Sequence, residues 1–466
     1  MGFHLPSTVA LVLTVAFIIF LFRRDIRARP NVTGAVWIPL LWFVIIGSRS
    51  PTHWLALGGY MQGGSVEEGN PLDAFVYATL IAAGTYVLIK RQVQLSEVIR
   101  NNQWLTIFFI YCFLAIFWSD FPFIAFKRWI KILGHPIMVL VLLTEPDPQE
   151  AIVTLMKRSA YVLIPMSILL IKYYPELGRA FDPWTGGGSN CGINATKNEL
   201  GWMCMILGFF FFWHLLQVLK TKRSTARRNE LLLVAGFICM IWWLMAKARS
   251  ATSLMALLLG ISIVTLLGQR FVNKRLIGLY VTLAIIGLVI LQLTFGIFGH
   301  LVDLTGHNTT MVGRAELWRE LLALQNSPIF GVGFESFWLG DRLKTIWGMH
   351  WWQPNEAHNG YLEIYLNLGV IGLVLLSALI IATYRKASLD LLTNFQFGRF
   401  RLGFLAVIVA ANWTEASFKG LSPIWFVFYI IAMDYSEPLF ASVEGPSQSD
   451  APEAVELASV KDTRLY

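Results

Sequence analysis

Apolar runs of bilayer length recur along almost the whole chain, and they constrain it more than any other feature. Runs that can cross a bilayer, roughly 17–25 residues with shorter cores allowed, fall near 5–22, 32–48, 72–89, 104–119, 129–143, 159–173, 200–219, 230–246, 251–267, 276–297, 360–383, 402–417 and 423–435. Backbone groups in lipid must be satisfied inside each segment, so these runs predict helices. The expected fold is an all-α polytopic integral membrane protein of about 12–13 transmembrane helices. Composition agrees: of 466 residues 56 % are hydrophobic and 14 % charged. That balance excludes a soluble enzyme, a disordered chain and a fibrous repeat.

Lys and Arg set the orientation. Alternate loops at 23–31, 90–103, 144–158, 220–229, 268–275, 384–401 and the tail hold 23 of the 37 cations. The positive-inside rule makes this side cytoplasmic. The net charge of +8 then reflects basic loops and an anionic substrate rather than nucleic acid. Arg23, Arg24, Arg27 and Arg29 follow the first apolar run, the pattern of a retained span and not of a cleaved signal. The other side receives loops at 49–71, 174–199 and 298–359. The last is long enough to carry function, and 315–324 has helical apolar spacing. Residues 1–436 read as one transmembrane domain, and 437–466, rich in Ser, Pro, Glu and Ala, as a disordered cytoplasmic tail. Three of the four cysteines lie in apolar runs, so no disulfide framework is visible.

The remaining 14 cations lie on the far side or at its boundary. Lys127, Arg128 and Lys131 share a helical face. Lys197 and Asn198 precede one span, and Lys247 and Arg249 open another beside Ser250, Thr252 and Ser253. Charges at span borders are costly and tend to be functional. The planar fork of Arg matches phosphate through two parallel charge-assisted bonds. Together they point to a basic groove for an anionic group at the membrane surface. For Arg49, Arg179, Arg319, Arg342, Lys172, Lys344 and Lys419 the expectation is snorkelling to lipid headgroups. Acidic residues are almost absent from span interiors, which argues against a proton-coupled transporter.

The long loop carries an ordered signature. Gly313-Arg314 with Trp318 comes first, then Pro328 with Gly331-Val332-Gly333, then His358-Asn359-Gly360-Tyr361-Leu362 leading to Gly369 and Gly372. Over roughly residues 100–435 the chain resembles the superfamily of O-antigen ligases and O-antigen or exopolysaccharide polymerases. Arg249 within "ARSAT" resembles the opening of a family span. Lys197-Asn198-Glu199-Leu200-Gly201 resembles a motif of the exopolysaccharide-polymerase branch, although Ala195-Thr196 stands where that branch often has a His.

The resemblance implies an inner-membrane glycosyltransferase working on the periplasmic face, with 1–436 as its catalytic domain. Its donor is a glycan on undecaprenyl pyrophosphate, and its acceptor another lipid-linked glycan (polymerase) or lipid A–core (ligase). Membrane lipids and a chain-length regulator are the further partners implied. No nucleotide sugar, cofactor or metal is implied, and the family's functional residues map onto Arg249, Arg314 and His358. The chemistry is consistent: pyrophosphate leaves, cations must meet its charge, and the acceptor hydroxyl needs a base, for which His is the default. Arg249 and Arg314 are then the main phosphate cations, supported by Lys127, Arg128 and Lys197 with Asn198. Asn359 caps the following helix or touches substrate. Gly331 and Gly333 are turn glycines first. His300, Asp303, His307 and His350 match no standard metal-ligand spacing. Trp242-Trp243 and Trp351-Trp352 are interface anchors, the second pair with the option of stacking on sugar rings.

Two rivals remain. A metal-dependent membrane glycosyltransferase calls for a paired-acid motif in the first extracytoplasmic loop, where Glu67-Glu68 and Asp73 offer no D-x-D or E-x-D. A transporter or flippase of lipid-linked glycans would also use a basic groove, but has less need of a long loop with one His and paired Arg.

Overall fold

The computed structural model describes residues 5–28, 31–57, 69–182, 187–283 and 308–435. Outside the described residues lie the later part of the span expected at 276–297, the loop start with His300, Asp303 and His307, the pair Glu67-Glu68, and the tail at 437–466.

The first half of the chain forms α1 (Ser7–Ala28), α2 (Trp37–Ile46), α3 (Pro51–Leu57), α4 (Pro71–Lys90), α5 (Leu95–Asn101), α6 (Gln103–Leu114), α7 (Pro122–Ile132), α8 (Gly134–Leu143), α9 (Pro148–Tyr173) and α10 (Pro175–Gly178). A hairpin of β1 (Arg179–Asp182) and β2 (Gly187–Asn190) follows, pairing Arg179 with Asn190. Then come α11 (Lys197–Val218), α12 (Thr225–Ala248), α13 (Ala251–Leu267), α14 (Asn308–Ala323), α15 (Gly340–Met349), α16 (Gly360–Thr393), α17 (Phe395–Ala411) and α18 (Pro423–Ala432). Among the described residues five helices, α4, α9, α11, α12 and α16, are long and apolar enough to cross a membrane. Gly34–Ile46, α6, α13 and α18 are shorter apolar helices. The protein is an all-α polytopic membrane protein.

Helix starts follow capping chemistry. Asp147 accepts from Glu150 N, Ser224 from Arg227 N, and Asn359 from Tyr361 N and Leu362 N, satisfying N–H groups that have no partner inside the helix. The apolar run at 129–143 divides between α7 and α8 around Leu133. The run at 402–417 stays helical only to Ala411, because Asn412 Oδ1 accepts from Ser417 N and Phe418 N and turns the chain into a loop.

The two ends of the bundle differ. The end that gathers the cation-rich loops is held by ion pairs: Arg91 with Glu145, Arg158 with Asp25, Lys157 with Glu230, and Arg401 with Asp390 and Asp434. The opposite end carries the signature. There α16 is broken at Gly369, whose φ of 66° and ψ of −163° lie in a region open almost only to glycine. The break frees backbone groups for the 328–333 segment. Val370 N donates to Pro328 O (2.9 Å), Ile371 N to Ile329 O (3.2 Å), and Gly333 N to Asn367 O (3.0 Å). A Cβ on Gly369 would lie 2.2 Å from Ile329 O, and one on Gly331 2.2 Å from Asn367 O. The signature glycines therefore permit two backbones to touch. A small separate core of Leu317, Leu321, Val332, Phe337, Ile346 and Leu366 packs the long loop onto this platform.

Gly369→Ala should destabilise the protein by about 1–3 kcal/mol from backbone strain alone, before any clash. Gly236→Ala on α12, where an added Cβ meets nothing within 4 Å, should be neutral or stabilising. Thermal unfolding midpoints of the two variants in detergent check the pair; equal midpoints would contradict the platform.

Candidate functional site

Arg314 and Trp318 sit one turn apart on α14 and so share a face. Arg314 Nη1 donates to Thr414 O at 2.9 Å, and Trp318 Nε1 donates to Ala357 O at 2.7 Å. The first signature element thereby grips the residue before His358 and the loop after α17. Thr414 Oγ1 in turn bonds Thr252 Oγ1 at 3.1 Å, at the start of α13. Arg249 forms the junction of α12 and α13 with a left-handed φ of 50°, and Ser250 Oγ bonds Ser253 Oγ at 2.9 Å just beyond. A cavity of about 320 Å³ opens beside Arg249 between Trp242, Met245 and Leu254. His358 is also left-handed, at φ 49°. Non-glycine residues in this region are uncommon and collect at functional sites.

His358 lies among charges. Its Nδ1 is 3.0 Å from Glu356 Oε1 and 4.0 Å from Glu415 Oε2. Glu356 Oε2 is 2.7 Å from Lys419 Nζ. Burial pulls the His358 ring down, but the Glu356 and Glu415 carboxylates outweigh it and push the imidazolium up to about 9. Burial works against Glu356 as an anion, yet Lys419 and His358 hold it well below the usual carboxylate range. Lys419, opposed by burial, is raised by Glu356 and Glu363. The Glu415 carboxylate is almost fully buried. The loop from Asn412 to Lys419 therefore touches the surroundings of all three expected catalytic residues: Thr414 at Arg314 and near Arg249, Glu415 at His358.

A second cavity, of about 640 Å³, lies on the other side of Glu356 and Lys419. Arg49, Asn194, Glu199, Trp202, Trp338 and Ser422 contribute to its walls. Arg128 also borders it and donates to Glu335 O. Lys127 stands over the Phe123 ring, 4.9 Å from its centroid. Lys197 and Asn198 occupy the first turn of α11 inside a reciprocal cap, where Thr196 Oγ1 accepts from Glu199 N and Glu199 Oε2 from Ala195 N. The Asn359 side-chain oxygen is taken up in capping α16, and Asn359 is buried.

Several residues differ from the sequence reading. Arg49 does not snorkel: it is 7 % exposed and donates to Asn194 O and Leu177 O. Lys419 is drawn into the His358 cluster rather than toward headgroups. Arg342 pairs with Asp120. His350 meets Glu320 at 2.5 Å. Glu356, Glu415 and Trp202 were not singled out from the sequence. Glu356 stands two residues before His358, which was its one local signal.

Residues 234–377 match the family described as O-antigen ligase, a range that contains Arg249, Arg314 and His358. A curated relative, the exopolysaccharide production protein ExoQ of Rhizobium meliloti, is 25 % identical over 296 residues. That match covers 60 % of this chain and 64 % of the relative, so it spans less than two thirds of the relative's length. Over the matched residues, with the ordered signature gathered on one structural platform, the chain is similar to the superfamily of O-antigen ligases and O-antigen or exopolysaccharide polymerases.

Proposed function

We propose that the chain transfers a glycan from an undecaprenyl-pyrophosphate carrier to an acceptor hydroxyl at the periplasmic face of the inner membrane, and that it polymerises an exopolysaccharide. The observation that supports this reading is the 412–419 loop, where Thr414 O accepts from Arg314, Thr414 Oγ1 bonds Thr252 three residues beyond Arg249, and Glu415 lies near His358. The two guanidinium groups meet the charge of the leaving pyrophosphate, the largest electrostatic demand of the reaction. Glu356, 3.0 Å from Nδ1, sets a negative charge beside the imidazole, and His358 takes the proton of the attacking hydroxyl. The exopolysaccharide-production relative favours polymerisation over ligation to lipid A–core. Transfer fits the site better than passage of an unchanged lipid-linked glycan, because Arg314 is anchored to a backbone carbonyl and His358 is held beside two carboxylates.

Glu356, His358 and Glu415 have ligand atoms within 4.8 Å of one another, a spacing a metal ion could use. Lys419 argues against that use, since its ammonium already supplies the positive charge at Glu356. We therefore read the trio as a proton site, and activity should survive exhaustive dialysis against a chelator. Loss on chelation with recovery on adding a divalent ion would make it a metal centre.

Purified protein given one undecaprenyl-pyrophosphate oligosaccharide should build a ladder of lengthened lipid-linked chains. Arg249→Ala and Arg314→Ala should each slow it by about 10²–10³-fold, the usual cost of one charge-stabilising donor. Arg314→Lys should not restore the rate, because the fork is lost. Transfer seen only after lipid A–core is added would make the protein a ligase. Release of the same oligosaccharide on the far side of a vesicle, with no new bond, would make it a transporter.

The base role has a pH signature. Neutral His358 is the reactive form, so the rate should rise with pH to a limb at about 9. Glu356→Gln removes the chief partner favouring the cation, so the limb should move down toward the ordinary 6.5. A rate that instead falls through about pH 9 in the unmutated protein would assign His358 to charge stabilisation.

A further inference from the structure

The 640 Å³ cavity lies within the range of small-molecule sites, about 300–1,000 Å³. Its charged side chains are occupied with each other or with backbone. Arg49 and Arg128 donate to carbonyls, and Lys419 pairs with Glu356. Glu363 accepts from Ala357 N and Trp338 Nε1, and Glu335 from Gly420 N. What is left over is neutral. Asn194 Oδ1, Trp202 Nε1 and Ser422 Oγ are buried atoms without a hydrogen-bond partner, and all three residues line this cavity. Asn194 is only 3 % exposed.

More than nine in ten buried polar groups in native proteins are paired, so three orphans around one cavity point to a ligand that supplies the missing bonds. They comprise an acceptor, an N–H donor and a hydroxyl. Adjacent sugar hydroxyls, each of which donates and accepts, complement such a set. The indoles of Trp202 and Trp338 add apolar surface for the C–H face of a pyranose. Position separates this cavity from the phosphate site. Glu356 forms part of its wall and also holds His358, whereas Arg249 borders the other cavity.

We infer that this cavity is the subsite for the uncharged sugar residue that carries the attacking hydroxyl, the acceptor end of the reaction. The word acceptor rests on the transferase reading; the binding of a neutral glycan does not.

The test uses the full-length protein in detergent and short neutral oligosaccharides, free of lipid and phosphate, released by mild acid from the polysaccharide of the host strain. Saturation-transfer NMR measures their binding, and initial rates give separate KM values for donor and acceptor. Trp202→Phe keeps the packing and removes the N–H; Ser422→Ala removes the hydroxyl. Each should weaken oligosaccharide binding and raise acceptor KM about tenfold, the equivalent of one hydrogen bond of average strength. Donor KM and the rate at saturating acceptor should hold. Arg314→Ala should bind the oligosaccharide as the unmutated protein does while losing transfer. Unchanged binding in both cavity variants, no binding to the unmutated protein, or a rise in donor KM instead would overturn the assignment. Binding that behaves as described in a protein that builds no ladder would leave the subsite standing and remove the transferase reading.

Discussion

The break in α16 at Gly369 is the constraint on which the signature end depends. A helix interrupted at the membrane boundary leaves N–H and C=O groups that lipid cannot satisfy. Here they are met by the 328–333 segment, which docks edge-on through Gly331 and Gly333. One buried carboxylate then extends the platform. Glu363, on the N-terminal side of the break, accepts from Trp338 Nε1 and Ala357 N and lies beside Asn367 Nδ2. Asn367 reaches on to Phe337 N. The described part of the long loop is thus a wall built from backbone contacts. His358 inherits its place from that wall, fixed between Ala357, held by Trp318, and the Asn359 cap.

Charge is handled in two ways at the two ends. At the cation-rich end Arg91, Arg158 and Arg401 face carboxylates. Such pairs cancel, and removing one partner of a buried pair is costly. At the signature end Arg314 faces a backbone carbonyl. A carbonyl dipole orients a guanidinium without neutralising it, so the positive field remains for an incoming anion. Opposite charges also meet there in the Glu356–Lys419–His358 cluster, at the place where the proposed mechanism needs a tuned proton site.

The sequence made the scaffold legible because hydropathy and capping are local. The run at 251–267 coincides with α13, and Asn359 caps its helix as its type suggests. Arg314 and His358 stand in the ordered signature and Arg249 in the separate "ARSAT" resemblance; their roles belong to the proposed mechanism. What hydropathy hides is where an apolar run stops being helical. "AANWTEASF" continues the apolar character of α17, yet Asn412 folds its side chain over two later N–H groups and ends the helix. That turn is what delivers Thr414, Glu415 and Lys419 to the site. Glu356 and Lys419 are 63 positions apart in the sequence, and no spacing rule joins them. Arg49 read as a snorkelling cation because its carbonyl partners lie more than a hundred residues away.

On the proposed mechanism the two cavities divide one reaction between them. The smaller one joins Arg249 to an apolar wall of Trp242, Met245 and Leu254, the combination that a pyrophosphate on a hydrocarbon chain requires. The larger one offers neutral polar atoms and indole faces, with Lys419 of the 412–419 loop in its lining. Polymerases and ligases share the donor and the leaving group, so the residues that meet those can stay the same between them. They differ in the acceptor, and a difference in acceptor has to be written where the acceptor is held. Specificity of that kind comes from hydrogen-bonding positions that are left unpaired by the wrong partner. Asn194, Trp202 and Ser422 are positions of that kind, and they come from three places in the chain, before α11, within it and before α18. Substitution there can change which glycan is extended without disturbing Arg314 or the Gly369 platform.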